Sequence, residues 1–533
     1  MSVSQPGLRS GAKWTWLFAL TQVAVMLLAI SNESLWIDEF WTEHFGAMGS
    51  FKDFYELLIV PSGSQTPLHF LHFYLWGQLH LAGEFLFRLA NLPLFVAGQL
   101  ALYWALRDQQ QAWTTPFLVL SALHPMVWQY ANEARPYIMM LAGSQMILAY
   151  LLRLHISATH GRPTEPLFLV FFALGGVLLF GSSMLGAFWV LAAGVQALVH
   201  HLRRSTWREL LQGFNPLLVA ALLLATGVLT AYYLSSLLKG AGGSRLATSS
   251  LSTVAFAAYE MLGLSGLGPS RLDLRALGLA ALRPHAVVLA TTSLVLLWLL
   301  AQGLQEARRR LGSGSFWWLV GVGLFPVAVV LLSGFAMHWR VLGRHLIAAL
   351  PLLNLLLAMG MVALWQNTTR WRLFSQLPLR PYRWLVALGL LALVVSSLAQ
   401  RFSQPHRKDD YRAAAQIAQA ALQSGQRVWW AAGVIGARYY GLPGEFNVMA
   451  ELTSQDQALR CSDSAGVEPV ANAKAACLAR MTPPDVVILS KPETFDVHGD
   501  IAAYLRAQQF VPVQALPAFT IWRRQVQPLA TKP

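Results

Sequence analysis

Eleven apolar runs constrain this chain more than any other feature. They lie at 14–31, 88–105, 113–130, 137–152, 166–180, 186–199, 216–238, 285–304, 316–335, 346–365 and 385–399. Their lengths suit a helix crossing a bilayer, which takes about 20 residues. Composition points the same way. Of 533 residues, 55% are hydrophobic and only 12% are charged, against about 25% charged in an ordinary soluble domain. The chain therefore reads as an α-helical polytopic membrane protein of about eleven transmembrane helices. The first run has no small-residue cleavage site and reads as a retained helix rather than a signal peptide.

Charge sets the expected orientation. The net charge is +14, and the basic residues collect in short connections: Arg107, Arg153, Arg203, Arg204 and Arg208, Arg308 to Arg310, and Arg370, Arg372, Arg380 and Arg383. That distribution follows the positive-inside rule. With Arg9 and Lys13 before the first run, the N-terminus reads as cytoplasmic and the C-terminus as outside. No basic face with interleaved aromatics is present, so nucleic-acid binding is excluded. The 239–284 segment fits less well. It reads as a long outer loop yet carries Lys239, Arg245, Arg271, Arg275 and Arg283. Long loops are weakly bound by the rule, and outward arginines are also suited to an anionic lipid phosphate.

The first outer loop, 32–87, has a different texture. It holds Glu33, Asp38, Glu39, Glu43, Asp53, Glu56 and Glu84 against one base, Lys52, among many aromatics. Short amphipathic helices lying in the membrane interface are expected here. The 67–81 stretch reads as one of these rather than as a span, being short and holding His69, His72 and His80. From residue 400 the composition changes to a small α/β domain, with a helix over 410–423 and strands at 428–432, 486–489, 510–513 and 519–522. The expected organisation is a transmembrane module over 1–399 and a periplasmic domain over 400–533. Cys461 and Cys477 fall in that domain. They are either a disulfide, if the domain is in an oxidising space, or two buried thiols.

The chemistry-bearing residues cluster in the outer segments. Asp38 and Glu39 lie between Trp36 and Ile37 on one side and Phe40 and Trp41 on the other. Acids held at a membrane are costly and are functional candidates by default. Adjacent helical residues point about 100° apart, so the two carboxylates take separate tasks: one faces a substrate while the other caps a helix or binds a neighbour. Glu133 and Arg135 end the 113–130 run, just before Tyr137, and suit either a sugar-phosphate site or a simple ion bridge. Arg88 and Arg344, with His345, open two further runs. Guanidinium groups bind phosphate bidentately and stay charged when desolvated; the alternative is arginines snorkelling at helix ends. His69, His72 and Glu84 are weak candidates for a divalent metal, and no cofactor is required by the sequence. No Walker sequence, phosphate-cradling Gly-rich loop or CxxC occurs.

These pieces, in order, resemble the membrane glycosyltransferases with the GT-C fold, in the branch that includes protein O-mannosyltransferases and lipid A aminoarabinose transferases (family 39 and its bacterial relatives). The resemblance is carried by Trp36-Ile37-Asp38-Glu39, Thr66-Pro67-Leu68-His69-Phe70, and Glu84-Phe85-Leu86-Phe87-Arg88-Leu89 with Pro93. It continues in Glu133-Ala134-Arg135-Pro136-Tyr137, Arg344-His345 with Pro351, and Asp409-Asp410-Tyr411-Arg412. The family's Arg-Tyr pair reads Arg344-His345 here. The resemblance implies a polyprenyl-phosphate sugar as donor and an acceptor hydroxyl at the periplasmic face of a bacterial inner membrane, on a glycolipid, lipid A, a polysaccharide or a protein. It implies Asp38 as base, with Glu39 and Glu133 as further catalytic acids. Arg88, Arg135 and Arg344 then hold the donor phosphate, and Trp36, Tyr137 and His345 contact substrate. The rival reading is a transporter or flippase of polyprenyl-linked sugars. It predicts paired halves and broken helices at the membrane midplane, and neither is visible in the sequence.

Overall fold

The computed structural model describes residues 8–60, 66–109, 111–159, 164–203, 216–239, 249–366, 380–442, 447–448, 478, 483–496 and 499–525. Each expected apolar run coincides with an apolar helix. Among the described residues, seven helices are long and apolar enough to cross a membrane, and four more apolar helices of 10–17 residues lie at Lys13–Ala29, Thr114–Leu123, Pro166–Ser182 and Gly186–Leu202. The chain divides by its contacts into two units. One comprises Met1–Ser31 with Phe45–His406, and the other Asn32–His44 with Arg407–Pro533.

The first unit is a helical bundle built around two buried helices. Tyr137–Thr159 is buried on nearly all sides and packs between Asn91–Leu106 and Pro166–Ser182. Leu350–Trp365 is the second, packed on Ala286–Ala336. Small residues let those two backbones meet. A Cβ on Gly303 would sit 1.9 Å from the Leu356 carbonyl oxygen, and one on Gly360 would sit 1.9 Å from that of Leu299. Close backbone approach at small residues is how helices gain packing where lipid offers no hydrophobic drive. Pro216–Leu238, by contrast, exposes Leu217, Leu223, Leu224 and Val228, as a helix facing lipid does.

Three expectations change. The 113–130 run is two helices, Thr114–Leu123 and Pro125–Ala131. Pro125 bars helical geometry at His124, which is extended (φ −62°, ψ 135°). The 285–304 and 316–335 runs are separate helices on either side of a kink, as expected, but the first continues through Arg308 to Arg310. Arginine is a good helix former; the break comes later, at Gly312, with φ +72° and ψ 158°. The 239–284 loop contains helices Leu251–Met261 and Arg271–Leu277, both capped by serine side chains that accept N–H bonds.

Among the described residues, the 32–88 segment holds four short helices: Ile37–Gly46, Phe51–Leu58, Pro67–Gly77 and Glu84–Arg88. At 11 residues, Pro67–Gly77 is too short to span, since 1.5 Å per residue falls well below the ~30 Å hydrocarbon thickness.

The second unit contains a five-stranded sheet: β1 (Val428–Ala431), β2 (Asn447–Val448), β3 (Val486–Ser490), β4 (Phe510–Leu516) and β5 (Phe519–Arg524), in spatial order β2-β1-β3-β5-β4. β2, β1 and β3 run parallel, and β5 and β4 are antiparallel to their neighbours. β1 and β3 are buried at every residue, as parallel strands covered on both faces are. Alternation sends Trp429 and Trp430 to opposite faces. Trp429 meets Tyr504 at 5.0 Å between ring centroids, and Trp430 meets Tyr411 at 6.3 Å. Helices Asp500–Ala507 and Tyr411–Gln423 thus cover one face each. Asp410 caps the latter by accepting the Ala413 N–H at 3.0 Å. Cys461 and Cys477 lie outside the described residues.

Candidate active site

Two polar clusters account for the singled-out residues, one in each unit. In the second unit, Asp38 and Glu39 form the first turn of Ile37–Gly46 and have different surroundings. Glu39 is fully buried. Its Oε2 accepts from Lys408 Nζ at 3.0 Å and from the Trp36 N–H at 3.3 Å. Asp38, one position earlier, is half-buried. The 100° helical offset therefore separates a fully buried carboxylate from a half-buried one. Trp36 packs its ring under the Lys491 ammonium, 5.6 Å from the centroid.

In the first unit the acids and arginines gather at the starts of several helices. Arg88 is fully buried and donates to the Ser31 carbonyl at 3.0 Å. Asn91, one turn later, donates to the carbonyls of Ala131 (3.3 Å) and Glu133 (2.8 Å). Asn132 Oδ1 accepts the Ser31 N–H at 2.7 Å. These bonds fix the segment on which Glu133 and Arg135 sit. Glu133 is 3% exposed, and its Oε1 lies 3.4 Å from Arg271 Nη1. Its Oε2 is buried with no hydrogen-bond partner among the described residues, an acceptor open to an incoming hydroxyl.

Arg271 is the centre of this cluster; the sequence offered it only as one of five basic residues in the 239–284 segment, suited to an external anion. It also reaches Glu260 Oε1 at 3.2 Å and the Tyr130 hydroxyl at 3.3 Å. Glu260, missed as well, is 4% exposed and accepts the Gly343 N–H at 2.9 Å, holding the backbone just before Arg344. Burial raises the Glu260 carboxyl above its ordinary value. Arg271, Arg344 and the Gly343 N–H pull it back in part. Arg344 lies over the Tyr137 ring at 5.9 Å, and Tyr137 packs on Tyr130 at 4.6 Å. His345 Nδ1 accepts the Leu342 N–H at 3.0 Å, and its ring meets Trp339. His345 thus terminates a turn. The signal that could have found Glu260 was a lone acid in the apolar run Val254 to Leu264.

The weak metal candidates are not brought together. Among the described residues no group of three His, Cys, Asp or Glu side chains is placed to hold a metal ion. His69 is buried against Phe73, with burial pushing its imidazole well below the ordinary value. His72 Nε2 lies 2.9 Å from the Ala90 carbonyl. The i, i+3 spacing put both on one helix, but aromatic packing and a backbone bond use them instead.

No family model and no curated protein matches the chain. Solved structures do. The apo structure of ArnT from Cupriavidus metallidurans superimposes with a TM-score of 0.51 at 14% identity, covering 96% of this chain and 98% of that one. The fold is that of the GT-C membrane glycosyltransferases. ArnT bound to undecaprenyl phosphate gives a TM-score of 0.49 at 14% identity over the same shares, 96% and 98%. The archaeal oligosaccharyltransferase AglB from Archaeoglobus fulgidus, in complex with an inhibitory peptide and a dolichol-phosphate, gives 0.42 at 10% identity, covering 98% of this chain and 75% of that one. At such identities the likeness is one of fold. It matches the GT-C resemblance read from the ordered motifs.

Proposed function

We propose that this protein is an inverting glycosyltransferase, moving a sugar from a polyprenyl-phosphate donor to a hydroxyl acceptor at the periplasmic face of a bacterial inner membrane. The observation that carries the reading is the division of labour at Asp38-Glu39, in a chain with the GT-C fold. Glu39 is fully buried against Lys408 and the Trp36 N–H, whereas Asp38, on the same helical turn, is only half-buried and so within reach of an incoming substrate.

A hydroxyl is a weak nucleophile, and a carboxylate taking its proton in the transition state contributes typically 10²–10⁴-fold. Asp38 is that base. Direct attack by the acceptor oxygen on the anomeric carbon displaces the lipid phosphate and inverts the configuration. The phosphate leaves with its charge, and its departure is helped by fixed cations. Arg88, Arg135 and Arg344 are the residues assigned to it, with Glu133 orienting the acceptor through its open oxygen. The donor class follows from the ordered sequence motifs and suits this arginine set. Trp36, Tyr137 and His345 are assigned to the substrate surroundings, and the acceptor is a glycolipid, a polysaccharide or a protein.

The deciding experiment compares lipid and glycan extracts, by mass spectrometry, from cells carrying wild-type protein or Asp38→Asn at equal levels. A sugar-sized mass lost from one acceptor, with accumulation of a polyprenyl-phosphate sugar, is expected. Identical pools in the two strains refute the reading.

A further inference from the structure

The 32–44 segment carrying Asp38 belongs by its contacts with residues 407–533, some 370 positions later, rather than with the helices that flank it in sequence. Its ties are specific. The Tyr440 hydroxyl accepts the Leu35 N–H at 3.0 Å and meets Ser34 Oγ at 2.9 Å. Arg412 donates to the Asn32 carbonyl at 3.0 Å. Phe40 packs edge-on to Tyr411 at 5.0 Å. Two lysines then close on acids: Lys408 on Glu39 and Lys491 on Asp409.

Lys491 is the costly residue of the set. It is 6% exposed, so an ammonium has been taken out of water. It is also held in left-handed backbone, φ +39° and ψ 75°, directly after β3 and before Pro492. A non-glycine residue there carries strain of the kind that persists only where its surroundings over-determine it. A glycine or asparagine would relieve the backbone but would not reach Asp409 or the Trp36 ring, both of which the lysine side chain meets. Trp36 immediately precedes Ile37–Gly46, so holding Trp36 and Glu39 holds the turn between them, on which Asp38 sits.

We propose that the C-terminal unit serves the reaction by clamping the Trp36–Glu39 turn, with Lys491 as a positioning residue for Asp38. The proposal rests on Asp38 being the base. Lys491 touches no reacting atom; it sets the orientation of the turn through Trp36, and Asp409 sets the position of Lys491.

The test uses full-length protein in nanodiscs, with three readouts: hydrogen exchange of peptides covering 34–44, binding of undecaprenyl phosphate alone, and turnover measured as the acceptor mass increment that Asp38→Asn abolishes. For Lys491→Met we expect about tenfold faster exchange over 36–40, with β1 and β3 unchanged. Turnover falls about tenfold or more while undecaprenyl phosphate affinity stays within about twofold, a loss in the chemical step rather than in donor binding. Lys491→Arg keeps most of the activity, because it keeps the cation over Trp36. The double variant Lys491→Met with Asp409→Asn leaves no buried charge behind and shows the same exchange and turnover losses in a folded unit. Unchanged exchange and turnover in both Met variants overturn the proposal. So does an arginine variant as impaired as Lys491→Met, or exchange that rises equally in the sheet. If instead Asp38→Asn keeps full turnover, the base assignment fails, and the exchange of 34–44 still reports whether the clamp exists.

Discussion

Arg271→Met removes a cation that bridges two buried carboxylates, those of Glu133 and Glu260. Breaking a buried pair from one side costs roughly 3–5 kcal/mol because an uncompensated charge is left behind. The Arg271 side chain is itself 41% exposed, so solvent screens part of the interaction and about 2 kcal/mol is the fitting magnitude. The penalty depends on pH, and its sign follows from Glu260. Burial already raises that carboxyl, and Arg271 is the first of the groups pulling it back; without the arginine it rises further. A carboxyl whose folded value exceeds its unfolded one binds a proton in the native state that the unfolded chain does not. Its native state therefore loses stability as pH climbs from the ordinary carboxyl value through the raised one, by at most about 1.4 kcal/mol per pH unit. Below that window Glu260 is protonated in both states and its share of the penalty disappears. Thermal unfolding in nanodiscs, followed by tryptophan fluorescence at pH 5 and pH 8, reads this directly. The variant should melt about 2–4 °C below wild type at pH 8 and clearly less far below it at pH 5, near the bottom of the window. Adding Glu260→Gln should recover about half of the pH 8 loss or more, since one of the stranded charges is gone. A depression equal at both pH values would refute the argument, because it would make Arg271 a packing residue and not a counter-charge.

Other consequences are equally direct. Gly343→Ala places a Cβ 2.7 Å from Glu260 Oε2, so it should disturb the turn before Arg344 and weaken undecaprenyl phosphate binding at least about threefold; unchanged affinity in a titration would detach Arg344 from the donor phosphate. Arg344→Ala should weaken the same binding by about tenfold or more, the worth of a charge-assisted contact, and a flat dissociation constant removes it from that role. Glu39→Ala leaves the partly buried Lys408 without its carboxylate and should lower the melting temperature of the C-terminal unit, while Glu39→Ala with Lys408→Met recovers most of it. Glu43, pushed up to about 7 by burial, loses stability as pH rises from its ordinary value to about 7; Glu43→Gln should abolish that slope and gain about 1–2 kcal/mol at pH 8 after allowance for its partial exposure.

Hydropathy made the bundle legible because transfer to an apolar environment is decided residue by residue along the chain. All eleven runs are helical for that reason, and the strands around Trp429 and Val487 were legible from continuous apolar character that announces burial on both faces. Element ends were less legible. Pro125 breaks a run that hydropathy alone extends, and Arg308 to Arg310 continue a helix that charge alone would end. Asp38 and Glu39 could be picked out as a pair with separate tasks from the 3.6-residue repeat. Which of them was taken by a neighbour could not, since the neighbour, Lys408, is 369 positions away.

The same limit explains the segment that fitted the charge pattern worst. Arg271 and Arg275 looked out of place in a loop expected to face outward, and the expected use for such arginines was an external anion. For Arg271 the structure supplies an internal reason. Glu133 and Glu260 are both buried, and a buried carboxylate is costly without a compensating charge. Arg271 begins a helix, capped by Ser270, at the one place from which a single guanidinium meets both acids and the Tyr130 hydroxyl. The arginine is thus a consequence of where the acids were placed. Since Glu260 also holds the Gly343 N–H, the position of Arg344 is tied to the same balance. A donor phosphate near Arg344 would meet a cluster in which positive charge is already partly spent on carboxylates, so its affinity should depend on the protonation of Glu260. Acidification that protonates Glu260 frees Arg271 from one partner and should tighten undecaprenyl phosphate binding in wild type. In Glu260→Gln the affinity should already be high and flat across the same pH range. A wild-type affinity that does not change with pH, or a Gln variant that follows the wild-type curve, would show that the two charges act independently.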